Sequence, residues 1–163
     1  MKIDKELFTK ALETLDFDYK SEIIKVTDKS IEFFENIKLP VELIEFFKEF
    51  SFRDDIYFEG NYFSCANKIR TENIDDFFKE FHKSNLLIIG SGLNGDPIVL
   101  NTNTMTVGYV FHEQLCESTT AEELHSMYID LNLSVGEFFY KSVTEEDFPI
   151  DAYCAEEYLE EQR

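Results

Sequence analysis

Residues Ile88–Gln114, IIGSGLNGDPIVLNTNTMTVGYVFHEQ, decide the fold. They read as strand, glycine turn, strand, polar turn, strand. Pro97–Leu100 and Val107–Phe111 are short β-branched and aromatic runs, and Asn101–Thr106 is the polar spacer that joins them. An apolar strand start at Leu86 precedes the first turn. Helical segments flank this strand-dense middle on both sides. That arrangement predicts an α+β fold: a single domain with a mainly antiparallel central sheet surrounded by helices.

Upstream, residues 2–15 carry Phe8, Leu12 and Leu15 on one side of a predicted helix. A second helix starts near Thr27 with Ile31, Phe34 and Ile37. Leu39-Pro40 then ends it and opens another, because proline suits a first helical turn. Leu43, Phe46, Phe47 and Phe50 follow at i, i+3, i+4 and i+7, the clearest apolar stripe in the chain. Residues 51–72 are less regular. Ile56–Phe58 and Tyr62–Cys65 are predicted strands around a Gly60-Asn61 turn. Ile74, Phe77, Phe78 and Phe81 repeat the helical spacing, which predicts a helix opening at Asn73 or Ile74.

Downstream, Thr119, Thr120 and Ser134 each precede a glutamate by three residues, the capping-box pattern that opens a helix. Ser126–Leu131 is a predicted last strand. The tail from Thr144 concentrates acids, and Tyr153, Cys154, Tyr158 and Leu159 give it the period of a docked or partly frayed helix. There is no internal repeat and no low-complexity linker, so residues 1–163 form one domain.

The chain has 163 residues, enough for one sizeable core, and 17 of them are phenylalanine. Fifteen basic residues face 34 acidic ones, a net charge of −19. Such a surface repels nucleic acid and anionic membranes, and speeds encounter with a basic partner. Cys65, Cys116 and Cys154 are odd in number, far apart and without a Cys-x-x-Cys pair. A disulfide framework is not expected, and a reducing compartment fits. The first residues, MKIDKELFTKALETL, are charged and amphipathic, unlike a signal peptide. The run Leu86–Ile89 is too short to span a bilayer. A cytoplasmic location is expected.

Several motifs invite a catalytic reading. Gly90-Ser91-Gly92-Leu93-Asn94-Gly95 spells G-x-G-x-x-G, but a dinucleotide site needs a helix to start there, and Pro97–Leu100 reads as a strand. His112-Glu113 opens like a zincin motif, yet Cys116 stands where the second histidine belongs, and the pair follows a strand. Asp96 sits in a turn where a carboxylate accepts bonds from turn N–H groups. A histidine at a strand end, such as His112, is expected to bond a neighbouring backbone group. The adjacent acids Asp54-Asp55, Asp75-Asp76 and Glu122-Glu123 point in different directions and suit solvated surface. Ser91 lies between glycines, but Gly-x-Ser-x-Gly is absent. No catalytic residue, cofactor or metal is expected.

Taken together, Leu39-Pro40 before the helix Val41–Phe50, Phe63–Ile69 after a variable loop, the turn residues Ile89-Gly90-Ser91-Gly92 with Gly95-Asp96, the strand Ile98–Leu100, the stretch Val107–Glu113 and the closing Ser134-Val135-Gly136-Glu137-Phe138-Phe139 resemble the SUKH superfamily (SMI/KNR type). The resemblance covers about residues 27–143. It leaves the N-terminal helix, within 1–20, and the acidic C-terminal helix, 144–163, as additions. It departs from the family in having no tryptophan and in carrying Ser51-Phe52-Arg53-Asp54-Asp55 in place of an Asn-Gly-Gly-type loop. It implies a non-enzymatic immunity protein that binds and neutralises a cognate bacterial toxin such as a basic nuclease. A general interaction or scaffold module is the alternative, and a hydrolase or metal enzyme using Asp96 and His112 is a third. The acids Asp54, Asp55, Glu59, Glu113 and Glu117, with Tyr57 and Tyr62 as aromatic anchors, are the expected partner-binding residues.

Overall fold

The computed structural model describes residues 3–163. The sequence pattern resolves into six strands in meander order: β1 (Ile56–Phe58), β2 (Asn61–Phe63), β3 (Leu86–Gly92), β4 (Pro97–Asn101), β5 (Thr106–Val110) and β6 (Tyr128–Leu133). Each strand pairs antiparallel with the next, so β1 and β6 form the two edges. Among the described residues, eight α-helices surround the sheet: α1 (Lys5–Thr14), α2 (Asp28–Asn36), α3 (Val41–Glu49), α4 (Ala66–Ile74), α5 (Lys79–Lys83), α6 (Ala121–Met127), α7 (Val135–Thr144) and α8 (Ala152–Glu161). This is the predicted α+β architecture. No helix among the described residues is long and apolar enough to cross a membrane.

Strands β3 to β5 are buried on both faces. One face carries Ile56, Phe58, Phe63, Leu87, Ile89, Ile98, Leu100 and Tyr109 into a core shared with α1, α3 and α7. Phe8 lies at its centre, with the rings of Phe46, Phe50, Phe58, Phe63 and Phe139 at 4.9–5.6 Å. Such edge-on and tilted pairs each add about 0.5–1.5 kcal/mol to simple burial. The other face places Leu86, Ile88, Val99 and Val110 against Phe81 of α5 and Leu124 of α6. Burial on both sides explains why β3 to β5 read as continuous apolar runs rather than alternating ones.

Local signals set most boundaries. The Thr27 hydroxyl caps α2 by accepting from Ser30 N–H. Thr120 with Glu123 and Ser134 with Glu137 form complete capping boxes at α6 and α7. The Thr119 box does not form: Thr119 Oγ1 instead accepts from Cys116 N–H, and the residue is buried. Gly136 sits where an added Cβ would fall 1.8 Å from Asp4 O, so glycine lets α7 meet the start of α1.

Four expectations need correction. The helix expected from Asn73 or Ile74 ends at Ile74, because α4 lies earlier and Asp75 turns the chain: its side chain accepts from Phe77 N–H. Ile74 and Phe77 are consequently exposed, and only Phe81 of that stripe is fully buried. The first hairpin turns at Glu59-Gly60, so β2 is Asn61–Phe63 and Ser64-Cys65 leave it. The last strand starts at Tyr128, after α6. The N-terminal helix begins at Lys5, and the expectation for Met1 and Lys2 lies outside the described residues. The tail forms α8, with Ala152 and Ala155 fully buried. Cys65, Cys116 and Cys154 are free thiols.

Candidate functional site

In an antiparallel meander β1, β3 and β5 end where β2, β4 and β6 begin. The Glu59-Gly60 turn, the Leu93–Gly95 turn and the His112–Gln114 turn therefore gather at one end of the sheet. The segment Pro149–Ala152 crosses over that end and leads into α8. Two positions show how closely it lies: a Cβ on Gly92 would fall 2.3 Å from Ile150 O, and one on Gly60 would fall 2.4 Å from an Ile150 methyl.

Asp96 pins this crossing. The residue is 1% exposed. One carboxylate oxygen accepts from His112 N–H at 2.9 Å and from His112 Nδ1 at 2.6 Å. The other accepts from Ala152 N–H at 2.9 Å and from Asn94 Nδ2 at 3.1 Å. Burial alone would raise this carboxyl, but the four donors outweigh it and hold Asp96 below the usual aspartate range. An ionised carboxylate only accepts, so Nδ1 of His112 carries the proton. The predicted turn N–H acceptor is thus a long-range clasp that joins the β3–β4 turn to the end of β5 and the start of α8. His112, expected to bond backbone, bonds this carboxylate. A second buried network supports the crossing: Asn61 Nδ2 donates to Ser142 Oγ and Pro149 O, and the Tyr109 hydroxyl reaches Asn61 Oδ1 and Pro149 O.

The Gly90–Gly95 segment completes β3 and turns into β4, a strand, so no helix begins from it. His112-Glu113 lies in a single 3-10 turn rather than on a helix. No cluster of three or more His, Cys, Asp or Glu among the described residues is placed to hold a metal ion.

The predicted partner-binding residues divide into two groups. Asp54, Asp55, Tyr57, Glu59 and Tyr62 lie on or beside the β1–β2 hairpin. Tyr57 and Tyr62 face each other across the strands, with ring centroids 5.0 Å apart, and Tyr57 is 46% exposed. Glu59 stands at the tip with φ 49°, followed by Gly60 at φ 106°, the two positive values of a type I′ turn. Asp54 is exposed. Asp55 differs: it pairs with Lys68 and accepts from Cys65 N–H at 3.0 Å, which fixes the start of α4. Its carboxylate is engaged within the chain. Glu113 and Glu117 form the second group, beyond the end of β5; Glu113 accepts from the Tyr153 hydroxyl at 3.2 Å.

Sequence reasoning missed Leu15 and Phe17 as neighbours of the hairpin. With Asp55, Ile56, Tyr57 and Glu59 they line an open depression of about 350 Å³ beside β1. Phe17 is 38% exposed, and no spacing rule couples it to residues 40 positions on. Glu59 also borders a cleft with Glu145, Glu146, Phe148 and Ile150, which brings the tail's acids beside the hairpin tip. The hairpin therefore presents exposed aromatic surface rimmed by carboxylates from two separate stretches of chain, the hairpin itself and the tail. Comparison of the chain with family models, with curated proteins and with solved structures returned no match.

Proposed function

We propose that the protein is a non-enzymatic, cytoplasmic binding module that docks on a basic protein partner, and that the partner is a toxin domain it neutralises. The observation that carries this is the β1–β2 hairpin tip. A type I′ turn favours asparagine, aspartate or glycine at its first central position, and a left-handed backbone costs a residue such as glutamate about 1–2 kcal/mol. Glu59 occupies that position, beside the exposed Tyr57 and the half-buried Tyr62 stacked on it. A charge kept where it weakens the fold points to use at the surface. Aromatics supply binding area at low entropic cost, and carboxylates at the rim select a cationic partner and speed its approach.

The test is capture from the native host by the wild-type protein and by D54K/E59K, with matched thermal melts. Asp55 is left in place because it anchors α4. Recovery of one basic protein at stoichiometric level, lost in the double variant at unchanged melting temperature, supports the proposal. Retention of several unrelated proteins favours the scaffold alternative.

The Asp96–His112 pair favours a catalytic second reading, since a buried carboxylate orients a half-exposed imidazole in many hydrolases. That chemistry also needs a nucleophile. No hydroxyl or thiol is hydrogen-bonded to His112 among the described residues.

A further inference from the structure

The two sheet edges differ. At β6, Asn132 adopts φ 55° inside the strand, and the register against β5 shifts between Val107 and Gly108. Asp130 accepts from Asn132 N–H and from Thr106 Oγ1, which ties the irregular segment down. Helix α8 packs against β5 and β6. A bulge, an acid and a covering helix are the devices that keep an edge from pairing with another chain.

The β1 edge carries no such bulge. In a two-residue hairpin the residues flanking the turn form a hydrogen-bonded pair, and the pairs alternate from there. Phe58↔Asn61 flanks the turn, so Phe58 and Ile56 bond inward to β2, and the Tyr57 N–H and C=O point outward. Upstream the chain supplies its own partner: Ile24 N–H donates to Ser51 O, and Arg53 N–H donates to Glu22 O. No strand runs beside Ile56–Phe58 on the outer side among the described residues. What lies there is the depression bounded by Leu15 and Phe17.

We propose that the outer edge of β1 takes an extended, lysine- or arginine-bearing segment of a partner protein as an added strand, with Tyr57 as the pairing residue. The inference rests on the binding function proposed above and specifies how the partner is held. A strand added here exchanges N–H···O bonds with Tyr57. Its side chains alternate between the apolar wall of Leu15 and Phe17 and the open face where Tyr57 and Tyr62 stack. Glu59 and Asp54 stand near the two ends of β1, so cationic side chains at the ends of the segment meet carboxylates. Main-chain bonds supply affinity in this mode, and side-chain pockets supply selectivity. The strand has three residues, so the added segment is short and the contact reversible.

The test is backbone amide hydrogen exchange read by NMR on the full chain, with capped peptides as probes. The first probe is an alternating lysine–valine octapeptide, the second its glutamate–valine counterpart, and the third the lysine peptide with a central proline. At about 90% saturation, exchange occurs only from the free tenth, so the Tyr57 amide is expected to slow about tenfold with the first probe. Ile56 and Phe58, already paired within the sheet, change little. The glutamate and proline peptides leave Tyr57 unprotected. Three outcomes overturn the inference: a Tyr57 amide already protected in the free protein, no lysine-peptide binding up to millimolar concentration, or binding that leaves Tyr57 exchange unchanged. The same exchange measurement on the captured partner separates the two proposals. A partner that binds without protecting Tyr57 ends strand addition and leaves the binding function standing.

Discussion

Replacing Asp96 with asparagine keeps the side chain's size and removes its charge and one acceptor. Each carboxylate oxygen serves one backbone donor, His112 N–H on one side and Ala152 N–H on the other, and each also takes a side-chain donor. An amide has a single acceptor oxygen, so in either orientation one buried N–H loses its partner. An orphaned buried donor costs about 1–3 kcal/mol, and the remaining bonds lose the charge assistance that roughly doubles them. The expected loss is about 3 kcal/mol, a large share of the 5–15 kcal/mol typical of a domain. It lowers the melting temperature by about 6–12 °C at this chain length. The pH dependence gives a sharper check. The folded value of Asp96 is depressed, so its contribution is full above the ordinary aspartate pKa and is lost as pH falls toward the folded value. The contribution of the Asp96 charge to the deficit of D96N is therefore fully present at pH 7. Below about pH 4 it shrinks, by at most about 1.4 kcal/mol per pH unit. Urea denaturation followed by circular dichroism at pH 7 and pH 3 reads both quantities, and taking the difference cancels the relief of surface repulsion common to both proteins. A deficit under about 1 kcal/mol at pH 7, or one equally large at pH 3, would refute the clasp.

Three further outcomes are expected. E59N places an Asn-Gly pair in the type I′ turn and should raise stability by about 0.5–1 kcal/mol while weakening capture of a basic partner; a variant no more stable than wild type contradicts the turn assignment. Y109F removes the buried hydroxyl that reaches Asn61 Oδ1 and Pro149 O, and should cost about 1–2 kcal/mol in chemical denaturation, with faster amide exchange across the Pro149–Ala152 crossing; unchanged exchange there would show that the network does not hold it. G90A introduces a Cβ 1.9 Å from Tyr62 O, a backbone atom that cannot step aside cheaply, and should cost about 1–3 kcal/mol; a neutral result in a thermal melt would show that β2 and β3 approach less closely.

Much of the candidate site was legible as residues and not as a place. Tyr57, Glu59 and Tyr62 belong to a short strand–turn–strand signal, and Gly60 marks the turn within one position. The turn falls at Glu59 because the register sets Phe58 opposite Asn61, and Asn61 is buried to hold Pro149 and Ser142. Asp55 looked like its neighbour Asp54. The difference is Lys68 and Cys65 N–H, which α4 brings to it. Helix α4 carries little sequence signal, because Ala66–Ile74 is largely polar and buries only Ala66, Ile69 and Asn73. The stripe of Ile74, Phe77, Phe78 and Phe81 had helical spacing, but the Asp75 side chain captures Phe77 N–H and breaks it.

The amino-acid sequence by itself determined the fold class, the helix starts at Thr27, Thr120 and Ser134, and the acidic character of the surface. These depend on hydrophobic period, on caps three residues apart and on net charge, all of which act between near neighbours or sum over the whole chain. Only the tertiary structure decided that Asp96 clasps His112 and Ala152, that Phe17 walls the outer edge of β1, and that Glu59 meets the acids of the tail. Those contacts join residues tens of positions apart. Their partners are chosen by strand order and register, because antiparallel pairing delivers alternate strand ends to the same end of the sheet, whatever their separation along the chain.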